Sequence, residues 1–96
     1  MYHKNSLYVE IAQNNGEYAI VFEHQPSGDG RLVACAKKPD EKTLIAALRR
    51  AMVQFPPVSE VVTDQSAIFA QRDFCDFLLW MRVHHSRRPF RFLTVQ

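Results

Sequence analysis

The residues best suited to chemistry stand near the end of the chain. Arg82, Arg87, Arg88 and Arg91, with His84 and His85, fall in the last fifteen positions, whereas all ten Asp and Glu residues lie at or before Asp76. A formal charge of +2 over 96 residues therefore conceals an acid-bearing body and a basic tail. Trp80, Phe90 and Phe92 interleave with these bases. Guanidinium groups grip phosphates bidentately and aromatic rings stack on bases, so the pattern suits a nucleic-acid partner. Arg49 and Arg50 lie upstream and would enlarge the basic surface only if their faces coincide with it. The same residues also describe a core of aromatics with a solvated arginine rim, or a surface for an acidic protein.

Other chemistries find less support. His84-His85 with Cys75 invites a zinc site, but adjacent residues on a helix or strand point in different directions and chelate together poorly. Cys75 beside a histidine would suit nucleophilic catalysis, yet a thiol on an apolar face is ordinarily inert. There is no CxxC pair, HExxH, GxxxxGK[ST] or GxGxxG, and only three glycines are present to build a phosphate cradle. Cys35 and Cys75 are too few for a disulfide scaffold and read as buried thiols. No apolar run is long enough to cross a membrane, and the N-terminus lacks the apolar stretch of a secretory signal. These features predict a soluble cytoplasmic chain with no membrane partner. At 47% hydrophobic and 23% charged residues, the chain is expected to pack as a single domain over 1–96.

The elements that must position these residues follow from periodicity. Leu7, Val9 and Ile11 alternate with Tyr8, Glu10 and Ala12, which is a strand. Asn15-Gly16 is a hairpin signal, and Glu17 to His24 reads as the returning strand. A second turn at Pro26–Gly30 leads to a third strand, Arg31 to Ala36. Asp40 and Glu41 open a helix whose apolar face is Leu44, Ile45, Leu48, Ala51, Met52 and Phe55, and Pro56-Pro57 stops it. Val58 to Thr63 is a short strand. A second helix is predicted from about Ala70 to Val83, apolar on nearly every side, so that Leu79 and Trp80 become the candidate partner surface. Ser86 to Pro89 is expected to break the chain, and Phe90 to Val95 to form a last strand. The order β-β-β-α-β-α-β predicts an α+β domain: an antiparallel meander within a mixed five-stranded sheet, packed by two helices.

That order resembles the ribonuclease H-like fold of retroviral-type integrases and DDE transposases. Val61-Val62-Thr63-Asp64-Gln65-Ser66-Ala67-Ile68-Phe69 is similar to the integrase strand that ends in the second catalytic aspartate, V-T-D-x-G-x-x-F. Asp73-Phe74 with Phe77-Leu78, and then Val83-His84-His85-Ser86-Arg87-Arg88-Pro89-Phe90, is similar to the helix and the H-x-S-x-P-Y stretch that follow. The likeness covers Val61 to Phe90, about a third of the chain. It implies converging carboxylates that hold two Mg²⁺ or Mn²⁺ ions for phosphoryl transfer. Asp64 takes the place of the second aspartate. Glu10 stands in the first strand where the family has an aspartate, one methylene shorter, and Ser66 replaces a glycine. The integrase-type third acid would fall beyond Gln96. In the ribonuclease H pattern, Asp40 or Glu41 would take the place at the first helix. Glu10, Asp40 and Asp64 are therefore the implied catalytic set, with Glu10 and Asp64 as its metal-binding remnant. Read without the resemblance, they are a solvent-facing strand residue, a helix cap and a turn residue.

Because the family pattern is incomplete, the leading expectation is a non-enzymatic binding or assembly domain descended from a mobile-element recombinase core, with no cofactor. It is expected to be a homodimer that uses Leu79 and Trp80. The first alternative is nucleic-acid binding through Arg82, His84, His85, Arg87, Arg88 and Arg91, joined by Arg49 and Arg50. The second is a nuclease or strand-transfer remnant dependent on Mg²⁺ or Mn²⁺.

Overall fold

The structure, a computed structural model, describes residues 5–89. Its elements run β1 (Ser6–Asn14), β2 (Glu17–Gln25), β3 (Gly30–Cys35), α1 (Glu41–Gln54), β4 (Glu60–Thr63), a 3-10 turn (Ala67–Ala70), α2 (Arg72–Trp80) and β5 (His84–Arg87). The five strands form one mixed sheet in the order β3-β2-β1-β4-β5. The meander is antiparallel, whereas β4 runs parallel to both β1 and β5. This is the predicted α+β architecture.

The meander forms where local chemistry demands it. Asn14 pairs with Glu17, which leaves Asn15-Gly16 as a two-residue loop. Both loop residues have positive φ, 52° and 78°, the geometry that matches strand twist and that Asn and Gly tolerate. Period-two alternation then sends Leu7, Val9, Ile20 and Phe22 to one face, joined by Val61 from β4. Helix α1 closes this face with Leu44, Ala47, Leu48 and Ala51, and α2 adds Phe74, Phe77 and Leu78. Burying a leucine such as Leu44 or Leu48 contributes about 2 kcal/mol. His24 joins this core, stacked on Phe55 with ring centroids 5.5 Å apart and an interplanar angle of 7°. Its Nδ1 meets Ser27 Oγ at 2.7 Å, and its Nε2 finds no partner among the described residues.

Two boundaries differ from the sequence reading. The second helix is shorter than Ala70 to Val83, because Arg82 adopts φ 61°. There the Arg82 N–H donates to Leu79 O at 3.0 Å and the Val83 N–H to Leu78 O at 3.2 Å. These two bonds form a Schellman closure with arginine where glycine is usual. A strand, β5, also stands where the chain was expected to break. Instead of breaking the chain, Ser86 lies inside β5, paired with Val62. The expected strand Phe90 to Val95 lies outside the described residues.

Candidate functional site

The polar residues gather on the β1, β4 and β5 side of the sheet, around a residue the sequence reading passed over. Glu60 opens β4 on the face opposite α1 and is only 6% exposed. Its Oε1 accepts the Ser6 hydroxyl at 2.9 Å and its Oε2 the Ser86 hydroxyl at 2.5 Å. The Arg88 guanidinium stands 3.8 Å from Oε1, reaches the Tyr8 hydroxyl at 3.5 Å, and lies 5.7 Å from the Tyr8 ring centroid. One buried carboxylate thus ties together β1, β4 and the segment after β5. Its only signal in the sequence is an acid at the start of an otherwise apolar strand.

A second group lies where β4 ends, beside the middle of β1. The register Val9 to Thr63 places Glu10 and Asp64 at the next position of the same parallel pair. The carboxyl end of a parallel strand such as β4 is where open α/β sheets usually bind ligands. Glu10 is not on an open solvent face as its strand position suggested, because it is 6% exposed. Asp64 is half-buried, and its Oδ1 accepts the Ser66 N–H at 2.9 Å, so it closes the turn out of β4. The Thr63 hydroxyl meets the Asp64 carbonyl at 3.1 Å and His85 Nε2 at 2.8 Å. With the hydroxyl hydrogen on the carbonyl, Nε2 is the donor to Thr63. His85 packs edge-on against Phe74, at 5.5 Å between centroids. Burial holds its pKa below the usual histidine value, with the neighbouring charges of Arg87 and His84 acting in the same direction.

Asp40 does not join them. It caps α1, with Oδ1 accepting the Thr43 N–H at 2.8 Å, and that bond chiefly lowers its pKa. Among the described residues, no group of three His, Cys, Asp or Glu side chains stands close enough to hold a metal ion. Glu10, Asp40 and Asp64 therefore do not assemble the implied catalytic set, and these residues do not fit a three-carboxylate Mg²⁺ or Mn²⁺ centre. Cys75 does not meet a histidine either; its thiol lies 3.6 Å from the Phe69 carbonyl.

The basic residues divide among several places. Arg82, His84, Arg87 and Arg88 are exposed and His85 half-buried, around the β5 edge. The Arg87 guanidinium donates to the Gln65 carbonyl at 3.0 Å. Arg91 lies outside the described residues. Arg49 instead lies 5.7 Å from the Phe77 ring centroid, and Arg50 lines a cleft beside β3, at the opposite edge of the sheet from β5. Arg50 therefore does not extend the basic surface as the sequence allowed. Leu79 and Trp80 are each 76% exposed at the end of α2, next to a fully buried Leu78. No helix among the described residues is long and apolar enough to cross a membrane.

No protein-family model and no curated protein matches this chain. Solved structures do. The HTLV-2 integrase catalytic core domain in complex with magnesium, in its dimeric form, superposes with a TM-score of 0.79 at 16% identity, over 91% of this chain and 62% of that one. Its trimeric form gives 0.78 at 15% identity, over 92% and 62%. A chain of the simian T-cell lymphotropic virus intasome in complex with PP2A regulatory subunit B56 gamma gives 0.79 at 16%, over 88% and 32%. This chain spans less than two thirds of the length of any of these three. At such identities the likeness is one of fold, and it agrees with the motif-level resemblance from Val61 to Phe90. The chain has the ribonuclease H-like fold of retroviral integrase catalytic cores.

Proposed function

We propose that this chain is a non-catalytic binding and assembly domain, built on the core fold of a mobile-element recombinase, that pairs with a second copy of itself through the end of α2. The observation that carries this reading is the exposure of the adjacent Leu79 and Trp80. Two large apolar side chains held open on a rigid helix are the composition of an interface centre. The dimeric and trimeric forms of the HTLV-2 core support self-association of this fold. Sedimentation velocity across a concentration series tests the proposal. A wild-type dimer that becomes monomeric in Leu79→Glu and Trp80→Glu is expected; a wild-type monomer at every concentration overturns it.

A second reading is favoured by the β5 edge, where Arg82, His84 and Arg87 are exposed within a tail that contains no acid. There the chain would bind nucleic acid, with Arg91 following in the sequence. The test is the salt dependence of single-stranded and duplex DNA binding in Arg87→Ala and Arg91→Ala, which would each lower the slope by about one if they contact phosphate. Arg88 is a poor probe, because its replacement would also disturb Glu60.

A further inference from the structure

Strand β3 is an edge of the sheet among the described residues, and Gly30 to Ala34 are all exposed. Natural edges are usually blunted by a proline, an inward charge or a covering element. Leu32-Val33-Ala34 presents none of these, and the one charge on the strand, Arg31, lies on the α1-facing side. The strand is also flanked by a hollow on each face. On the helix side a cleft of about 480 Å³ separates it from α1, floored by Phe22, Val33, Ala47 and Ala51, with Arg31 on the strand wall and Arg50 on the helix wall. On the other side a depression of about 300 Å³ is lined by Ala12, Ala19, Leu32 and Ala34.

The two arginines give the cleft its preference. Neither forms an ion pair among the described residues: Arg31 donates to its neighbouring Gly30 carbonyl and lies 5.2 Å from the Phe55 ring centroid. No acidic side chain lines the cleft. An added strand hydrogen-bonds to an edge through its main chain and sends alternate side chains to the two faces. A glutamate directed toward α1 would lay its methylenes on the apolar floor and its carboxylate between two unpaired guanidinium groups. Its sequence neighbours would place apolar side chains over the Ala12, Ala19 and Ala34 depression.

We propose that β3 is a docking edge for an extended acidic peptide segment of another protein, added as a sixth strand, with Arg31 and Arg50 together reading a glutamate on its α1-facing side. A second copy of this chain is disfavoured there, because antiparallel β3–β3 pairing would crowd both copies of Arg31 and Arg50 into clefts that contain no acid. A nucleic acid would meet the arginines but could not pair with the strand's amides. The edge lies across the sheet from β5, so the proposal stands independently of the two functional readings above.

The probe is a labelled hexapeptide, acetyl-Val-Glu-Val-Glu-Val-Glu-amide, titrated into the whole chain by fluorescence anisotropy and by ¹⁵N amide spectra. Expected are saturable binding, with shifts confined to residues 30–35 and the facing side of α1. The Val-Lys counterpart, and a peptide with proline replacing its central valine, should each bind at least tenfold more weakly. The Arg31→Glu/Arg50→Glu double variant should lose at least tenfold in affinity; both residues are exposed, and its unchanged spectrum elsewhere would confirm that it folds. No saturation at millimolar peptide, shifts elsewhere, or indifference to either charge reversal overturns the proposal. So does displacement of the peptide by an oligo-dT strand at equal concentration, or a wild-type dimer dissociated by Leu32→Arg.

Discussion

Glu60 accepts a hydrogen bond from Ser86 at 2.5 Å across two parallel strands, and this contact explains a strand that its own residues would not predict. His84-His85-Ser86-Arg87 carries no apolar alternation. It is a strand because β4 offers it a hydrogen-bonding edge, with Glu60 reaching Ser86 on one face and Thr63 reaching His85 on the other.

Glu60→Ala is accordingly expected to destabilise the fold by about 2–4 kcal/mol, since it leaves Ser6, Ser86 and Arg88 without their shared acceptor. Ser86→Ala should cost about 1–2 kcal/mol. Urea denaturation of both variants reads this directly. Losses below about 0.5 kcal/mol in both would show that the carboxylate does not hold these strands together.

Helix α2 starts without a cap of its own, for Gln71 makes no side-chain bond. The missing acceptor comes from α1, where Glu41 Oε2 takes the Phe74 N–H at 2.6 Å. Glu41→Ala should cost about 1 kcal/mol, in the range of a lost cap. Amide exchange should rise first at Phe74 and its neighbours rather than in α1.

The pH profile should carry two separable contributions. The folded pKa of His85 lies below its ordinary value near 6.5, so below that value the unfolded chain takes up the proton first. Stability is then full above about pH 6.5 and declines as pH falls toward the folded value. His85→Gln should flatten this part of the curve. The Asp40 pKa is lowered from 3.8 by its bond to Thr43, so its contribution is present above that value and is lost as pH falls through the folded one. Asp40→Ala should remove only this more acidic part. A wild-type curve flat from pH 7 to pH 5 would exclude a role for His85.

Arg82 closes α2 at φ 61°, a conformation that costs a side-chain-bearing residue about 1–2 kcal/mol. Arg82→Gly removes that strain, offset in part by greater freedom of the unfolded chain. A net gain of about 0.5–1 kcal/mol is expected in thermal or urea unfolding. A loss of stability would mean that the arginine side chain contributes contacts worth more than the strain.

The sequence by itself determined the parts whose instructions are local. Alternation at Leu7, Val9 and Ile11, the Asn15-Gly16 turn, the Asp40 cap and the proline stop at Pro56 each act within a few residues, so the meander and α1 could be read directly. The run from Val61 to Phe69 likewise carried the fold resemblance. Tertiary structure decided the rest, because those decisions depend on partners distant in the chain. Glu60 is a buried clasp only once β1 and β5 flank it. Glu10 is buried, and Asp40 serves as the cap of α1, because the surroundings each acid meets in the fold rather than its residue type set its role. Arg49 and Arg50 are adjacent in sequence, yet one faces the Phe77 ring and the other the β3 cleft, because successive helical residues point about 100° apart. The exposure of Leu79 and Trp80 and the open edge at β3 also follow from which surfaces the packed layers leave uncovered.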